Sequence, residues 1–120
     1  MKIDSFRDLV VWQKSMELSK QIYAMTKELP KEEQFGLVFQ LRRCAVSIPS
    51  NIAEGSKRGT RKDYVRFLRI AQGSGAELET QLLLVRELYK VRGVEEIQAL
   101  LEEVQKMLTT MVKKLDIHPH

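Results

Sequence analysis

Cysteine and histidine are almost missing from this chain of 120 residues: Cys44 is the only thiol, and His118 and His120 are the only imidazoles. One cysteine excludes an intrachain disulfide. Cys44 sits mid-way through a helical pattern with no histidine near it in sequence, which reads as a small buried side chain rather than a nucleophile. His118-Pro119-His120 is a terminal pair that does not make a metal site, so histidine-based acid–base or metal chemistry has no support. There is no P-loop, no Gly-rich strand-to-helix turn and no Glu-x-x-His motif of the kind that builds di-metal bundles. No cofactor is implied. Apolar clusters such as Leu82-Leu83-Leu84-Val85 are far shorter than the roughly 20 residues of a membrane helix. Met1 to Ser5 lack the apolar core of a signal peptide, so a cytoplasmic location without membrane contact is expected.

Helical periodicity is what the chain has in quantity. Hydrophobic residues make up 43% and charged residues 30%, a balance that suits one folded helical domain over residues 1–120 rather than a disordered chain. Four patterns can be read, and no strand alternation competes with them. The first starts near Ser5, with Asp8 as a weak capping partner, and ends before Pro30. It carries two apolar stripes, Val11, Leu18, Ile22, Met25 and Leu29, then Leu9, Trp12, Met16 and Tyr23. One stripe suffices for a monomer core, so the second points to a wider core or another subunit. The second helix begins at Lys31 to Glu33 and runs to about Gly55. The third starts at Thr60 with a T-x-x-D cap and carries Tyr64, Leu68, Ala71, Gly75, Leu78, Leu82, Val85 and Tyr89. Ala71, Gly73, Ser74 and Gly75 are small enough to admit a close neighbour helix. Leu83, Leu84 and Leu88 leave the main stripe. Gly93 reads as a stop or connector. The fourth helix repeats Val94, Ile97, Leu101, Val104, Leu108, Met111 and Leu115. The expected fold is an all-α, antiparallel, up-and-down four-helix bundle.

The run Ser47-Ile48-Pro49-Ser50-Asn51-Ile52-Ala53-Glu54-Gly55 is the most informative stretch. Proline inside a helix costs about 3 kcal/mol, yet the apolar spacing Val38, Leu41, Ala45, Ile48, Ile52 continues through Pro49. A polar stripe of Arg43, Ser47, Asn51, Glu54 and Arg58 runs beside it on one face. With Ser74, Glu77 and Gln81 of the third helix, it predicts a hydrogen-bonded structural seam. In that seam Arg43 pairs a glutamate, and Asn51 holds backbone groups loosened by the proline. A carboxylate pair of Glu54 and Glu77 is the one constellation with a catalytic look; the seam is the more economical reading, and no catalytic residue is assigned. Basic residues follow. Between Gln40 and Ile70 eight cations face two acids, giving +6 against −2 for the rest of the chain. Such polarity suggests an anionic partner.

Four motifs together resemble a known family. They are F-x-x-L-x-V-W-Q at Phe6 to Gln13, E-x-F-G-L-x-x-Q-x-R-R at Glu33 to Arg43, S-I-P-S-N-I-A-E-G at Ser47 to Gly55, and A-x-G-S-x-x-E-L-E-T-Q-L at Ala71 to Leu82. In this order they resemble the bacterial four-helix bundle proteins named for open reading frames in 23S rRNA intervening sequences. The resemblance implies a ring-like homopentamer. It also implies kinship with the accessory proteins of diversity-generating retroelements, which are basic pentameric barrels that bind nucleic acid and associate with a reverse transcriptase. It supplies no catalytic residues.

The expectation is therefore a non-enzymatic, oligomeric nucleic-acid-binding protein for structured RNA or an RNA/DNA hybrid. Arg42, Lys57, Arg58, Arg61, Lys62, Arg66 and Arg69 are the expected phosphate contacts. Tyr64 and Phe67 are the only aromatics near them, so recognition should be of backbone and shape. The alternative is an interaction scaffold docking a protein such as a reverse transcriptase.

Overall fold

The computed structural model describes residues 5–116. Among them are four α-helices and no strand: α1 (Val10–Thr26), α2 (Leu37–Lys57), α3 (Arg61–Leu88) and α4 (Val94–Asp116). Each helix buries one apolar stripe. Leu18, Ile22, Leu41, Ile48, Ile52, Leu68, Leu78, Leu82, Leu101 and Leu108 are sealed from solvent in a single core. Full burial of such a side chain contributes about 1.5–3 kcal/mol. No helix among the described residues is long and apolar enough to cross a membrane. His118 and His120 lie outside the described residues.

The helix starts differ from the sequence pattern in instructive ways. Ser5 caps a 3₁₀ turn, Phe6–Asp8, by accepting from Arg7 N–H at 3.1 Å, and the α-helix proper begins only at Val10. Lys31–Glu33 is likewise a separate 3₁₀ turn, and α2 begins at Leu37. The reason is Glu33. Its carboxylate accepts the Leu37 N–H at 3.2 Å, so it caps α2 from outside instead of standing within its first turn. The same carboxylate accepts the Tyr89 hydroxyl, joining the start of α2 to the end of α3. These bonds hold the Glu33 carboxyl below its usual range, first through Tyr89 and then through Leu37, and push the Tyr89 phenol up to about 12. The α3 start matches its motif: Thr60 Oγ1 accepts from Asp63 N–H at 3.1 Å. Gly93, at φ +88°, belongs to the connector, and its carbonyl accepts the Ile97 N–H that opens α4.

The small residues of α3 divide into two kinds. Gly73 faces open space. A side chain on Gly75 would overlap the Gln105 amide, which reaches across from α4 to donate to the Gln72 carbonyl at 2.9 Å. Gln105 Oε1 is buried there without a partner.

Candidate nucleic-acid interface

Helix α2 passes through Pro49 and continues to Lys57. Proline has no N–H, so the Ala45 carbonyl one turn earlier loses its helical donor. Ser19 of α1 compensates: its hydroxyl proton is shared between the Ala45 carbonyl and the Ser15 carbonyl of its own helix, each at 3.0 Å, in a site where Ser19 and Ala45 are both buried. The Asn51 amide instead donates to the Ser47 carbonyl at 2.8 Å and to Ser47 Oγ at 2.9 Å. This corrects the sequence expectation, which gave Asn51 the repair. A hydroxyl from another helix satisfies the freed carbonyl, and Asn51 steadies the polar face beside it.

That face is shorter than its sequence stripe. Ser47 Oγ and Ser74 Oγ are 2.7 Å apart, linking α2 to α3. The Gln81 amide donates to Cys44 Sγ at 3.4 Å. Burial pushes the Cys44 thiol up, with the Gln81 bond opposing, so it stays protonated and unreactive. Arg43 and Glu77 are exposed and form no ion pair among the described residues. Glu54 pairs with Arg58 at 3.0 Å rather than with Arg43. The seam therefore holds Ser47, Asn51 and Ser74, and solvent takes its outer members, because long charged side chains at the rim keep their heads in water.

Gly55, the last residue of the motif, sets the corner that follows. A Cβ there would lie 2.9 Å from Phe67 Cβ and 3.1 Å from Tyr64 Cδ1. Its absence lets the end of α2 press against the start of α3. The connecting loop turns at Gly59, φ +91°. Lys57, Arg58, Arg61 and Lys62 flank that turn, all exposed. Lys57, Arg61 and Lys62 make no ion pair among the described residues. Arg61 and Lys62 stand in the first turn of α3, where the helix dipole already presents positive charge.

Phe67 organises the remaining cations. Its ring is 7% exposed, with the Arg58 guanidinium 4.8 Å and the Arg66 guanidinium 4.5 Å from its centroid. The ring is a seat for two arginines, not a face for a base. In sequence Phe67 stands out only as a stacking candidate; it is nine residues from Arg58, across the α2–α3 turn, and next to Arg66, and neither separation is a helical i,i+3 or i,i+4 signal. Arg66 also lies 3.7 Å from Asp63, and Arg69 pairs with Asp116 of α4 at 2.9 Å. Exposed pairs of this kind hold weakly and exchange readily for another anion.

Arg42 stands apart. Its Nε donates to Thr26 Oγ1 at 2.9 Å, and its guanidinium lies 4.4 Å from the Tyr23 ring centroid. It is on the α1 side of α2, about 22 Å along the axis from Lys57 at about 1.5 Å per residue. The structure does not bring it to the cationic corner with the other six.

Beside Arg42 runs an apolar groove between α1 and α2, of about 650 Å³, lined among others by Trp12, Met16, Tyr23, Val46 and Pro49. The second α1 stripe is thus divided: Leu9 and Trp12 pack half-buried against the core, while Trp12, Met16 and Tyr23 line the groove. Among the described residues no three His, Cys, Asp or Glu side chains gather where they could hold a metal ion.

Residues 7–110 match the family model described as 23S rRNA-intervening sequence protein. No curated protein matches the chain. Among solved structures, a protein with unknown function from the S23 ribosomal protein family of Bacteroides thetaiotaomicron VPI-5482 is 33% identical, with a TM-score of 0.79 over 89% of this chain and 98% of that one. With a family model spanning most of its length and a solved relative of the same helical shape, the chain belongs to the 23S rRNA-intervening sequence protein family.

Proposed function

We propose that this protein is a non-enzymatic, oligomeric nucleic-acid-binding protein whose phosphate contacts are Lys57, Arg58, Arg61, Lys62, Arg66 and Arg69. The observation that carries the reading is the α2–α3 corner. Six cations gather there against Asp63 alone between Gly55 and Arg69, and two of them occupy the helix end where cations are least favoured. A fold stabilised only for itself gains nothing from that placement; a polyanion does.

The helices form an antiparallel up-and-down bundle in this reading. Its support is the pairing of α2 with α3, in which Glu33 meets Tyr89, Cys44 meets Gln81 and Ser47 meets Ser74, one number falling as the other rises. The groove between α1 and α2, with Val46 at 41% exposure on its rim, is the seat of a neighbouring subunit. A homopentameric ring repeats the cationic corner five times and raises avidity without new chemistry.

Fluorescence anisotropy with structured RNA, an RNA/DNA hybrid and duplex DNA tests this across a salt series. Binding that weakens log-linearly with salt is expected, as is its loss in the variant carrying Lys57→Ala, Arg58→Ala, Arg61→Ala and Lys62→Ala, with the assembly unchanged by light scattering. Undiminished binding by that variant refutes the site. Failure of the intact assembly to bind at low salt refutes the function and puts the scaffold reading first. Phe35, 89% exposed at the opposite end of α2 from the corner, is the feature that favours the scaffold.

A further inference from the structure

The sequence reading placed the cations on one segment, residues 40–70. The structure adds residues from both termini to the same end of the fold. Arg69 holds Asp116, the last residue of α4, at 2.9 Å. The final turn of α4 therefore lies beside the first turns of α3, and it carries exposed Lys113 and Lys114. At the other terminus the Phe6 ring packs edge-on against Trp12, 5.3 Å between centroids, and shares a groove with Pro49 and Ala53 of α2. That contact sets exposed Arg7 near the last turns of α2.

The charge is consequently split along the 50 Å long axis. At this end stand nine cations (Arg7, Lys57, Arg58, Arg61, Lys62, Arg66, Arg69, Lys113, Lys114) against Asp8, Glu54, Asp63 and Asp116, a balance of +5. Around the connectors at the far end, Lys27, Lys31, Arg86, Lys90 and Arg92 face six glutamates, a balance of −1. Lysines in the last turn of a helix suit its dipole, so Lys113 and Lys114 alone carry no inference. Arg61 and Lys62 sit against the dipole of α3 at the same end, and their company makes the end as a whole an anion-seeking surface.

We infer that the entire end of the bundle, with Lys113, Lys114 and Arg7 joined to the α2–α3 corner, is one docking face for a nucleic-acid double helix, which it meets end-on. This rests on the nucleic-acid reading above and extends it in site and in ligand. A double helix is favoured over a single strand because the aromatic rings of this end are already engaged: Phe67 is buried beneath two guanidiniums, Phe6 packs edge-on against Trp12 with the Arg7 guanidinium 5.8 Å from its centroid, and Tyr64 is half-buried on the core side, whereas single-strand binders depend on free platforms. The cross-section of 24 × 23 Å spans about 14 duplex charges at about 1.7 Å per charge with both strands counted, more than the net charge of +5 at this end.

The test uses the full chain, an RNA duplex and a DNA duplex of about 24 base pairs, and the matching single strands, by anisotropy between about 50 and 200 mM salt. The variant Lys113→Ala with Lys114→Ala is expected to bind duplex several-fold more weakly, with a log–log salt slope shallower by about 1 to 2. Lys90→Ala with Arg92→Ala, at the far end, is the control and leaves both unchanged. Unaltered binding by the Lys113/Lys114 variant, while the four-alanine corner variant loses it, overturns the end-on face and spares the corner. Equal losses in the control show bulk charge rather than a face and overturn it. Tighter binding to the single strands overturns the choice of ligand. Binding to phosphatidylserine vesicles but to neither duplex assigns the surface to a membrane and overturns it too. Absence of any nucleic-acid binding by the unaltered chain defeats the underlying reading, a result separable from the others.

Discussion

Pro49 removes a backbone hydrogen bond from a helix that is buried on that side, and one serine restores it from elsewhere. Ser19 Oγ reaches the Ala45 carbonyl at 3.0 Å, with both residues buried. Ser19→Ala should therefore lower stability by about 1–3 kcal/mol, the cost of an orphaned buried acceptor, as measured by urea unfolding. With Pro49→Ala in place, residue 49 has an N–H for Ala45, and the same serine substitution should cost less than about 1 kcal/mol. The cycle isolates the coupling; equal costs in both backgrounds mean that Ser19 acts by packing alone. The need for such a donor was legible, because a proline within an unbroken apolar period demands one. Its identity was not. Asn51 lies on the same helix and is visible by spacing, whereas Ser19 comes from another helix and only the packing of α1 on α2 selects it.

At the scale of the element, α3 begins against its own electrostatics. Thr60 caps it and Asp63 suits its first turn, but Arg61 and Lys62 oppose the dipole. Arg61→Glu with Lys62→Glu should raise thermal stability, by about 0.3–1 kcal/mol for each dipole interaction converted, while abolishing binding to duplex. Stability gained together with binding lost is the signature of residues retained for a ligand; a fall in stability shows instead that these cations support the fold. The Thr60 start could be read in sequence because cap and acid both lie within one turn. The sequence pattern puts the start of α2, at Lys31 to Glu33, four to six residues before Leu37 for a physical reason. An acidic residue before a helix looks the same whether it sits in the first turn or caps from outside, and only the Glu33 carboxylate on the Leu37 N–H distinguishes them.

The whole molecule separates two kinds of surface. One end is cationic, and the flank between α1 and α2 is apolar, with Trp12, Met16, Tyr23 and Val46 along a groove. A charge on that flank should break the proposed assembly: Val46→Glu is expected to yield monomers by light scattering with helical content intact. A monomeric unaltered protein, or an undisturbed assembly in the variant, removes this flank as the subunit contact. The four helices and the family were legible because periodicity and four ordered motifs span nearly the whole chain. The gathered cationic end was legible only in part. Lys113 and Arg7 are more than a hundred residues apart in sequence, and Arg42, adjacent in the same charge count, faces away. Subunit number was never legible, since surplus apolar surface signals association without fixing its symmetry.

Gln105 bears on a different question, which is how many ways these helices can be stacked. Its amide enters α3 at the one place where Gly75 leaves room, and it leaves Oε1 buried without a partner. A buried unpaired acceptor lowers stability, so its contribution lies elsewhere. Were α4 to slip by one turn in either direction, the amide would meet Ala71 or Glu79, and a Cβ would block it from the backbone it now contacts. The apolar stripes of α3 and α4, rich in interchangeable leucines and valines, would tolerate such a slip. A single polar side chain set against a single missing methyl widens the energy gap between the native alignment and its near neighbours.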